Sequence, residues 1–189
     1  PRQGRAATPR SVSPTIRTST WPSIISMRLW DSTTAPSGST PTAAKNLAEA
    51  DRLPPAEALA LLDGLVRLEP DHPGIHERRA HRLLATGALA AGLDAAADAL
   101  RLQPGNARVH YLRARSRLTP RLDPAGAERD LTEAAKSAHG PEGIAARAAL
   151  ARRNGDLAGA LAMLREALEA DPDPAVLWHE SGLAFEAQG

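Results

Sequence analysis

The sequence predicts an all-α fold, a right-handed α-solenoid of helix–turn–helix repeats that follows a disordered N-terminal segment. Three observations support this prediction. From residue 44 onward Ala, Leu, Glu and Arg dominate, and these residues favour helices. Helix-breaking prolines then recur at multiples of 34 residues, as Pro70, Pro104 and Pro172. Aromatic residues make up only 3% of the chain, so thin helical layers suit this composition better than one thick core.

Residues 1–43 are predicted to be disordered. Pro, Gly, Ser or Thr occupies 24 of these 43 positions, and no helical or strand period is visible among them. Such a segment buries too little apolar surface to offset the entropy of ordering. The chain begins with Pro1 and its first methionine is Met27. We therefore expect either that upstream sequence is missing or that the natural start is Met27.

Each 34-residue period is expected to contain two helices joined by a tight turn. The prolines end the preceding helices, because Pro cannot extend a helix and disfavours helical geometry in the residue before it. Breaks in mid-period occur at Gly87, at 119–120 and at 154–155, and Asp123 and Asp156 then provide N-caps. We predict no β-sheet and eight helices, near residues 54–69, 73–86, 88–103, 107–119, 123–138, 141–154, 156–171 and 174–188.

The sequence also matches itself from one period to the next. Residues 123–134 and 156–167 share Asp, Ala, Gly, Ala, Leu, Glu and Ala at an offset of 33. A fixed period of this length is typical of repeat proteins. The predicted repeat domain spans 44–189 and contains a degenerate unit at 44–72, three full units at 73–106, 107–140 and 141–174, and an incomplete unit at 175–189.

These units resemble tetratricopeptide repeats, in which small residues stand where the two helices of a unit cross. The crossing position of successive first helices is Ala80, Ala114, Ala148 and Gly182. The last unit carries the fullest signature, with Trp178, Gly182, Phe185 and Gly189 at the family's spacing. The resemblance covers about 145 residues and implies a stack of helix pairs.

Some positions depart from the family pattern. His76 and His110 stand where a large apolar residue is usual, and Arg117 replaces another apolar residue. The chain also ends at Gly189, directly after a first helix whose second helix is missing. We therefore expect apolar residues of this incomplete repeat to be exposed and to promote self-association.

Motifs for catalysis and for cofactors fail on their spacing. His76 and His81 are five residues apart, whereas the zinc-protease motif needs four. The chain contains no cysteine, and its two lysines, Lys45 and Lys136, lie outside any glycine-rich phosphate loop. We expect no catalytic residues, no metal and no cofactor. No apolar run approaches the ~20 residues of a membrane-spanning helix and no secretory signal is recognisable, so a cytoplasmic location is expected.

The resemblance implies that a partner binds in the concave groove lined by the first helices. Helical spacing assigns to that face Glu77, His81, Arg108, Tyr111, Arg115, Arg152 and His179, with Glu142, Val176, Leu183 and Glu186 beside them. The cluster of Arg108, Tyr111 and Arg115 suits a carboxylate or phosphate, whose oxygens accept paired hydrogen bonds from guanidinium groups. An ordinary solvated helix face is the alternative.

The leading interpretation is a non-catalytic scaffold that binds a protein or peptide with acidic or carboxylate groups. The alternative is the repeat arm of a larger enzyme of the glycosyltransferase or sulfotransferase type, with its catalytic domain beyond residue 189. Residues 73–121 carry nine basic and three acidic side chains. One Tyr and two Lys nevertheless disfavour nucleic acid as the partner. The Arg- and Ala-rich usage is typical of a GC-rich bacterial gene.

Overall fold

The computed structural model describes residues 41–118, 123–138 and 140–188, and within them the chain forms nine α-helices and no β-strand. The helices are α1 Pro41–Arg52, α2 Pro55–Leu68, α3 Pro73–Ala85, α4 Leu89–Leu102, α5 Ala107–Leu118, α6 Pro124–Ala135, α7 Pro141–Arg153, α8 Leu157–Ala170 and α9 Ala175–Glu186. The all-α class is confirmed, and α2 to α9 begin and end within three residues of the eight predicted helices.

Helix α1 corrects the N-terminal boundary. The sequence pattern extended disorder to residue 43, yet α1 begins at Pro41. Its apolar residues Ala43, Leu47 and Ala50 are buried, and their spacings of four and three residues place them on one helical face. Burial of this face offsets the cost of ordering α1. The rest of the predicted disordered segment, residues 1–40, lies outside the described residues.

Local sequence explains where several helices begin. Helices α2, α3, α6 and α7 each start with proline, whose fixed φ suits a helix and whose missing N–H is not needed in the first turn. The predicted N-caps Asp123 and Asp156 are confirmed. Their carboxylates accept hydrogen bonds of 2.8 Å from the backbone N–H groups of Gly126 and Gly159, respectively.

Two glycines end inner turns in the left-handed region. Gly87 follows α3 with a φ of 81° and Gly155 follows α7 with a φ of 87°, a region that other residues adopt at a cost. After Gly87 the chain turns back, and the N–H of Ala88 donates to the carbonyl oxygen of Leu83 at 2.9 Å. This pattern satisfies carbonyl groups that the helix end would otherwise leave unpaired.

The helices form two layers, which we call inner and outer. The inner helices are α1, α3, α5, α7 and α9, and the outer helices are α2, α4, α6 and α8. Each helix contacts its neighbours in sequence, and each inner helix also contacts the next inner helix. Among the described residues no two outer helices touch. Because the inner helices are more closely spaced, the array curves around them, as in an α-solenoid.

Small side chains allow the two layers to approach closely. Ala80, Ala114 and Ala148 on the inner helices are at most 1% exposed. On the outer helix α4, a Cβ added to Gly92 would lie 2.6 Å from side-chain atoms of Leu84. Forcing extra methylene groups into such contacts costs about 1–3 kcal/mol. The Ala-rich composition therefore reflects the spacing of the helices.

The two histidines that depart from the apolar pattern anchor the loops before their helices. In each case a ring nitrogen lies within hydrogen-bond distance of the carbonyl oxygen of the proline six residues earlier: His76 Nε2 with Pro70 at 2.7 Å and His110 Nε2 with Pro104 at 2.8 Å. The Trp178 Nε1–H donates to the Pro172 carbonyl in the same way at 2.8 Å. Since a carbonyl can only accept, Nε2 is the donor in both of these contacts.

The third departure, Arg117, belongs to a cluster around a buried carboxylate. Asp130 on α6 is 2% exposed and accepts hydrogen bonds from Arg113 Nε and Arg117 Nη1, both at 2.8 Å. His110 Nδ1 lies 3.1 Å from the same carboxylate. Burial raises the pKa of Asp130, but hydrogen bonds from His110 and Arg113 and the charges of both arginines outweigh it, and the pKa falls below its ordinary value.

Candidate functional site

The inner helices carry all seven predicted partner-binding residues. They are Glu77 and His81 on α3, Arg108, Tyr111 and Arg115 on α5, Arg152 on α7, and His179 on α9. Tyr111 is buried, and the other six retain access to solvent. The structure groups them into two clusters. Glu77, His81 and Arg108 lie between α3 and α5, whereas Arg115, Arg152 and His179 line one cleft further along the array.

Opposite charges alternate across three successive inner helices in the first cluster. Arg108 Nη1 lies 3.4 Å from Glu77 Oε1, and Arg108 Nε lies 3.9 Å from Glu142 Oε1. Asn106 Nδ2 donates to the other Glu77 oxygen at 2.8 Å. The Arg108 side chain remains 55% exposed, and exposed ion pairs contribute at most about 1 kcal/mol. These ion pairs of Glu77, Arg108 and Glu142, which we call the ladder, therefore orient the side chains and leave the Arg108 guanidinium accessible to solvent.

His81 lies beside this ladder on α3. Burial lowers the pKa of His81, and the positive charges of Arg108 and Arg82 lower it further. The negative charges of Asp51 and Glu77 only partly oppose this effect. His81 is therefore a neutral side chain at physiological pH, and an anion bound nearby would favour its protonation.

Tyr111 does not offer its ring to the groove as the helical spacing suggested. Its hydroxyl donates to Glu180 Oε1 at 2.6 Å, a contact between residues 69 positions apart. Arg152 Nη2 lies 3.4 Å from Glu180 Oε2. Burial, followed by the charge and hydrogen bond of Glu180, raises the pKa of Tyr111 far above its ordinary value. Tyr111 thus supports a buried network that joins α5, α7 and α9.

The second cluster lines a cleft of about 620 Å³, which we call the anion cleft. Its polar lining is Arg115, Arg152, Arg153, His179 and Glu180, and its apolar lining is Leu118, Pro124 and Leu183. The Arg115 guanidinium carbon lies 5.9 Å from the centre of the Tyr111 ring, a cation–π distance that favours one orientation of the side chain. Arginine is the predominant charged residue of this cleft.

The arginines also act on the histidine of the cleft. Burial lowers the pKa of His179, and the charge of Arg115 lowers it further. Glu180 and Glu186 raise it by smaller amounts.

Sequence reasoning missed two charged residues of this cleft, Arg153 and Glu180, as well as Leu118 and Pro124. Glu180 is the only Asp, Glu, Lys or Arg between Asp173 and Glu186, and it is 2% exposed. An isolated acid in an otherwise apolar helix was a signal for a buried pair, since carboxylates are rarely buried unless paired. Its partners could not be deduced, because Tyr111 is two repeat units away in sequence.

The buried pair of His110 and Asp130 superficially resembles half of a catalytic triad. In such a triad the histidine nitrogen that does not face the acid accepts a proton from a nucleophile. Here that nitrogen, Nε2, bonds to the Pro104 carbonyl instead. The pair therefore serves to hold α5 and the loop before it, which contains Pro104, in place.

The described part of the chain offers neither a metal site nor a membrane-spanning helix. There, no group of three or more His, Asp or Glu side chains is arranged to hold a metal ion. No helix in those ranges has both the length and the apolar character needed to cross a membrane.

A family model and several solved structures match this chain. Residues 141–184 match a model described as a tetratricopeptide repeat. A thermophilic tetratricopeptide repeat protein of Thermus thermophilus, TTC0263, is 27% identical with a TM-score of 0.52, and the match covers 68% of this chain and 71% of that one. No curated protein sequence matches the chain.

Structures of IFIT1 are similar as well. The human IFIT1 dimer with PPP-AAAA is 25% identical with a TM-score of 0.56, and the match covers 71% of this chain and 32% of that one. A monomeric IFIT1 mutant with Gppp-AAAA is 24% identical with a TM-score of 0.58, covering 71% and 31%. The matched region thus spans about a third of the IFIT1 chains.

Proposed function

Because the chain is a tetratricopeptide repeat protein, we propose that it is a non-catalytic scaffold whose inner helices bind a segment of another protein. Inner helices α3 to α9 carry accessible charged side chains in two clusters, the ladder at Arg108 and the anion cleft. A segment lying across the inner helices would contact both clusters. The outer helices, in contrast, are separated from one another.

The observation that carries this proposal is the unbalanced charge of the anion cleft. Arg115 and Arg153 form no ion pair with any described residue, while the carboxylate of Glu180 is already engaged by Tyr111 and Arg152. Guanidinium groups pair well with carboxylates and phosphates. We therefore infer that the bound segment is acidic, and that its affinity falls as salt screens the exposed charges.

Selection from a random peptide library tests the proposal. The wild-type chain is the bait, and an Arg108→Glu, Arg115→Glu double variant serves for counter-selection. We expect enriched peptides rich in Asp and Glu, whose binding weakens between 50 mM and 300 mM salt. Peptides that bind the double variant equally well would exclude the inner helices as the binding surface.

A second candidate is binding of nucleic acid. The ligand of the similar human IFIT1 dimer, PPP-AAAA, favours this candidate together with the basic cleft. Phosphates would then replace carboxylates as the anions. Competition decides between the two: PPP-AAAA should fail to displace a selected acidic peptide at equal concentration if the protein segment is the ligand. Displacement at lower concentration than the peptide itself would support nucleic acid.

A further inference from the structure

Among the described residues, the lining of the anion cleft carries more positive than negative charge. Three arginines, Arg115, Arg152 and Arg153, face one acid, Glu180. His179 is neutral, since burial and Arg115 lower its pKa. Among the described residues that line it, the cleft therefore has two more positive than negative charges, and Glu186, which also acts on His179, lies outside this lining.

Glu180 cannot turn to neutralise the other arginines. One carboxylate oxygen accepts the Tyr111 hydroxyl at 2.6 Å and the other lies 3.4 Å from Arg152. The Nε of Arg152 is buried without an acceptor. The contact with Glu180 holds the Arg152 side chain in place. The Tyr111 ring, over which the Arg115 guanidinium lies, orients Arg115. The arrangement is preorganised before any ligand arrives.

A cleft on the outer side of α5 and α6 provides a comparison. It is larger, about 710 Å³, and it also contains three arginines, Arg113, Arg117 and Arg129. However, three acids line the same cleft, Glu128, Asp130 and Glu133. Its charges are balanced and two of its arginines are bound to Asp130. Excess positive charge therefore distinguishes the anion cleft from this larger one.

The two excess positive charges of the lining indicate which anion fits the cleft. A carboxylate carries one negative charge and would leave one arginine unneutralised. A phosphate ester carries about −1.5 to −2 at neutral pH and offers three acceptor oxygens. We propose that the anion cleft binds the phosphate group of a phosphorylated residue within the partner segment. This inference rests on the proposed function, and it specifies both the group that is bound, a phosphate, and the place where it binds, the anion cleft.

The protonation state of His179 shows directly whether an anion occupies the cleft. A bound dianion stabilises the imidazolium form, so the pKa of His179 should rise when the cleft is occupied. The first experiment follows the histidine signals by NMR while the wild-type chain is titrated with inorganic phosphate or with acetate. His179 is assigned from a His179→Gln variant, and His72 on the other end of the array is the internal control.

We expect phosphate to shift the His179 signals at concentrations at least about tenfold lower than acetate and to raise the pKa of His179, while the His72 signals stay unchanged. Loss of one charge-assisted contact should weaken phosphate binding about tenfold or more in Arg115→Gln and in Arg153→Gln. Arg101→Gln, an exposed arginine on outer helix α4, is the matched control and should bind as the wild type does. Equal effects of phosphate and acetate, or an equal loss in Arg101→Gln, would overturn the inference.

The second experiment separates this inference from the proposed function. A selected acidic peptide is compared in three forms, with phosphoserine, glutamate or serine at each successive position. A phosphoserine form that binds at least tenfold tighter than the glutamate form, and loses this advantage in Arg153→Gln, supports the inference. If no phosphoserine form gains affinity, the phosphate assignment fails while the scaffold proposal stands. If PPP-AAAA shifts His179 and phosphopeptides do not, the ligand is a nucleic acid and both protein-based proposals fail.

Discussion

Replacing Asp130 by Asn should destabilise the repeat array without changing its fold. The substitution conserves shape but removes the negative charge that Arg113, Arg117 and His110 share. The new amide nitrogen also points donor hydrogens at groups that are themselves donors. Arg113 loses its acid partner inside the contact between α5 and α6, and Arg117 keeps only Asp123, at 3.7 Å.

The expected loss is roughly 2–4 kcal/mol. Breaking a fully buried ion pair by removing one partner costs about 3–5 kcal/mol. The Arg113 and Arg117 side chains retain 19% and 25% exposure, so water compensates part of that cost. Several charge-assisted hydrogen bonds are lost at once, at about 1.5–3 kcal/mol for each such bond. These contributions overlap, and their sum is not the expected effect.

Urea unfolding followed by circular dichroism at 222 nm measures this difference. The folded pKa of Asp130 is lowered, so the stability that it contributes is present above the unfolded pKa of about 3.9 and is lost as pH falls through the folded pKa. The difference in free energy of unfolding between the wild type and Asp130→Asn should therefore have its full value at pH 7 and should decrease below about pH 4. Asp94→Asn, at an exposed position of α4, should change stability by less than about 0.5 kcal/mol. A gap under 1 kcal/mol at pH 7, or one that is constant with pH, would refute the reasoning.

Three further predictions concern packing, the exposed apolar face and the N-terminal segment. Gly143→Ala should destabilise the chain by about 1–3 kcal/mol in the same urea assay, because a Cβ there meets backbone carbonyl oxygens. Gly64→Ala meets nothing within 4 Å and should stabilise it by up to about 1 kcal/mol. Phe185, which is 61% exposed, should promote self-association, so sedimentation equilibrium should give a mass above that of a monomer for the wild type and a smaller mass for Phe185→Glu. Deletion of residues 1–40 should leave the melting temperature within about 2 °C, since their composition provides no core-facing period; a larger drop would show that the segment docks.

The helices could be predicted because their boundaries depend on local residues. Proline at the start of α3 and α7, Asp156 before α8 and Gly155 after α7 act within one turn of the backbone. Such effects are readable from neighbouring positions. The helix that was missed, α1, follows a segment dominated by Ser, Thr and Pro, and its buried positions are the small or medium residues Ala43, Leu47 and Ala50. A short apolar stripe of that kind gives a weak signal.

The partner-binding surface was only partly predictable. Helical spacing correctly places Arg108, Tyr111 and Arg115 on one inner helix, but it cannot show what each side chain meets. Tyr111 is withdrawn from the surface because Glu180 on α9 accepts its hydroxyl. That contact depends on how α5, α7 and α9 stack. Similarly, the role of His76 depends on the direction of the Pro70 carbonyl, a backbone feature that residue type does not specify.

The most direct test of the scaffold proposal compares two charge reversals at matched arginines. Arg115 lies on inner helix α5 and Arg101 lies on outer helix α4, and each is replaced by Glu. Isothermal titration of a selected acidic peptide should show a loss of roughly 1–3 kcal/mol for Arg115→Glu, the range for a lost charge-assisted hydrogen bond, with unchanged helicity. Arg101→Glu should bind as the wild type does. Equal losses in both variants would contradict the account, because the basic residues would then act as a diffuse field and the inner surface would have no special role.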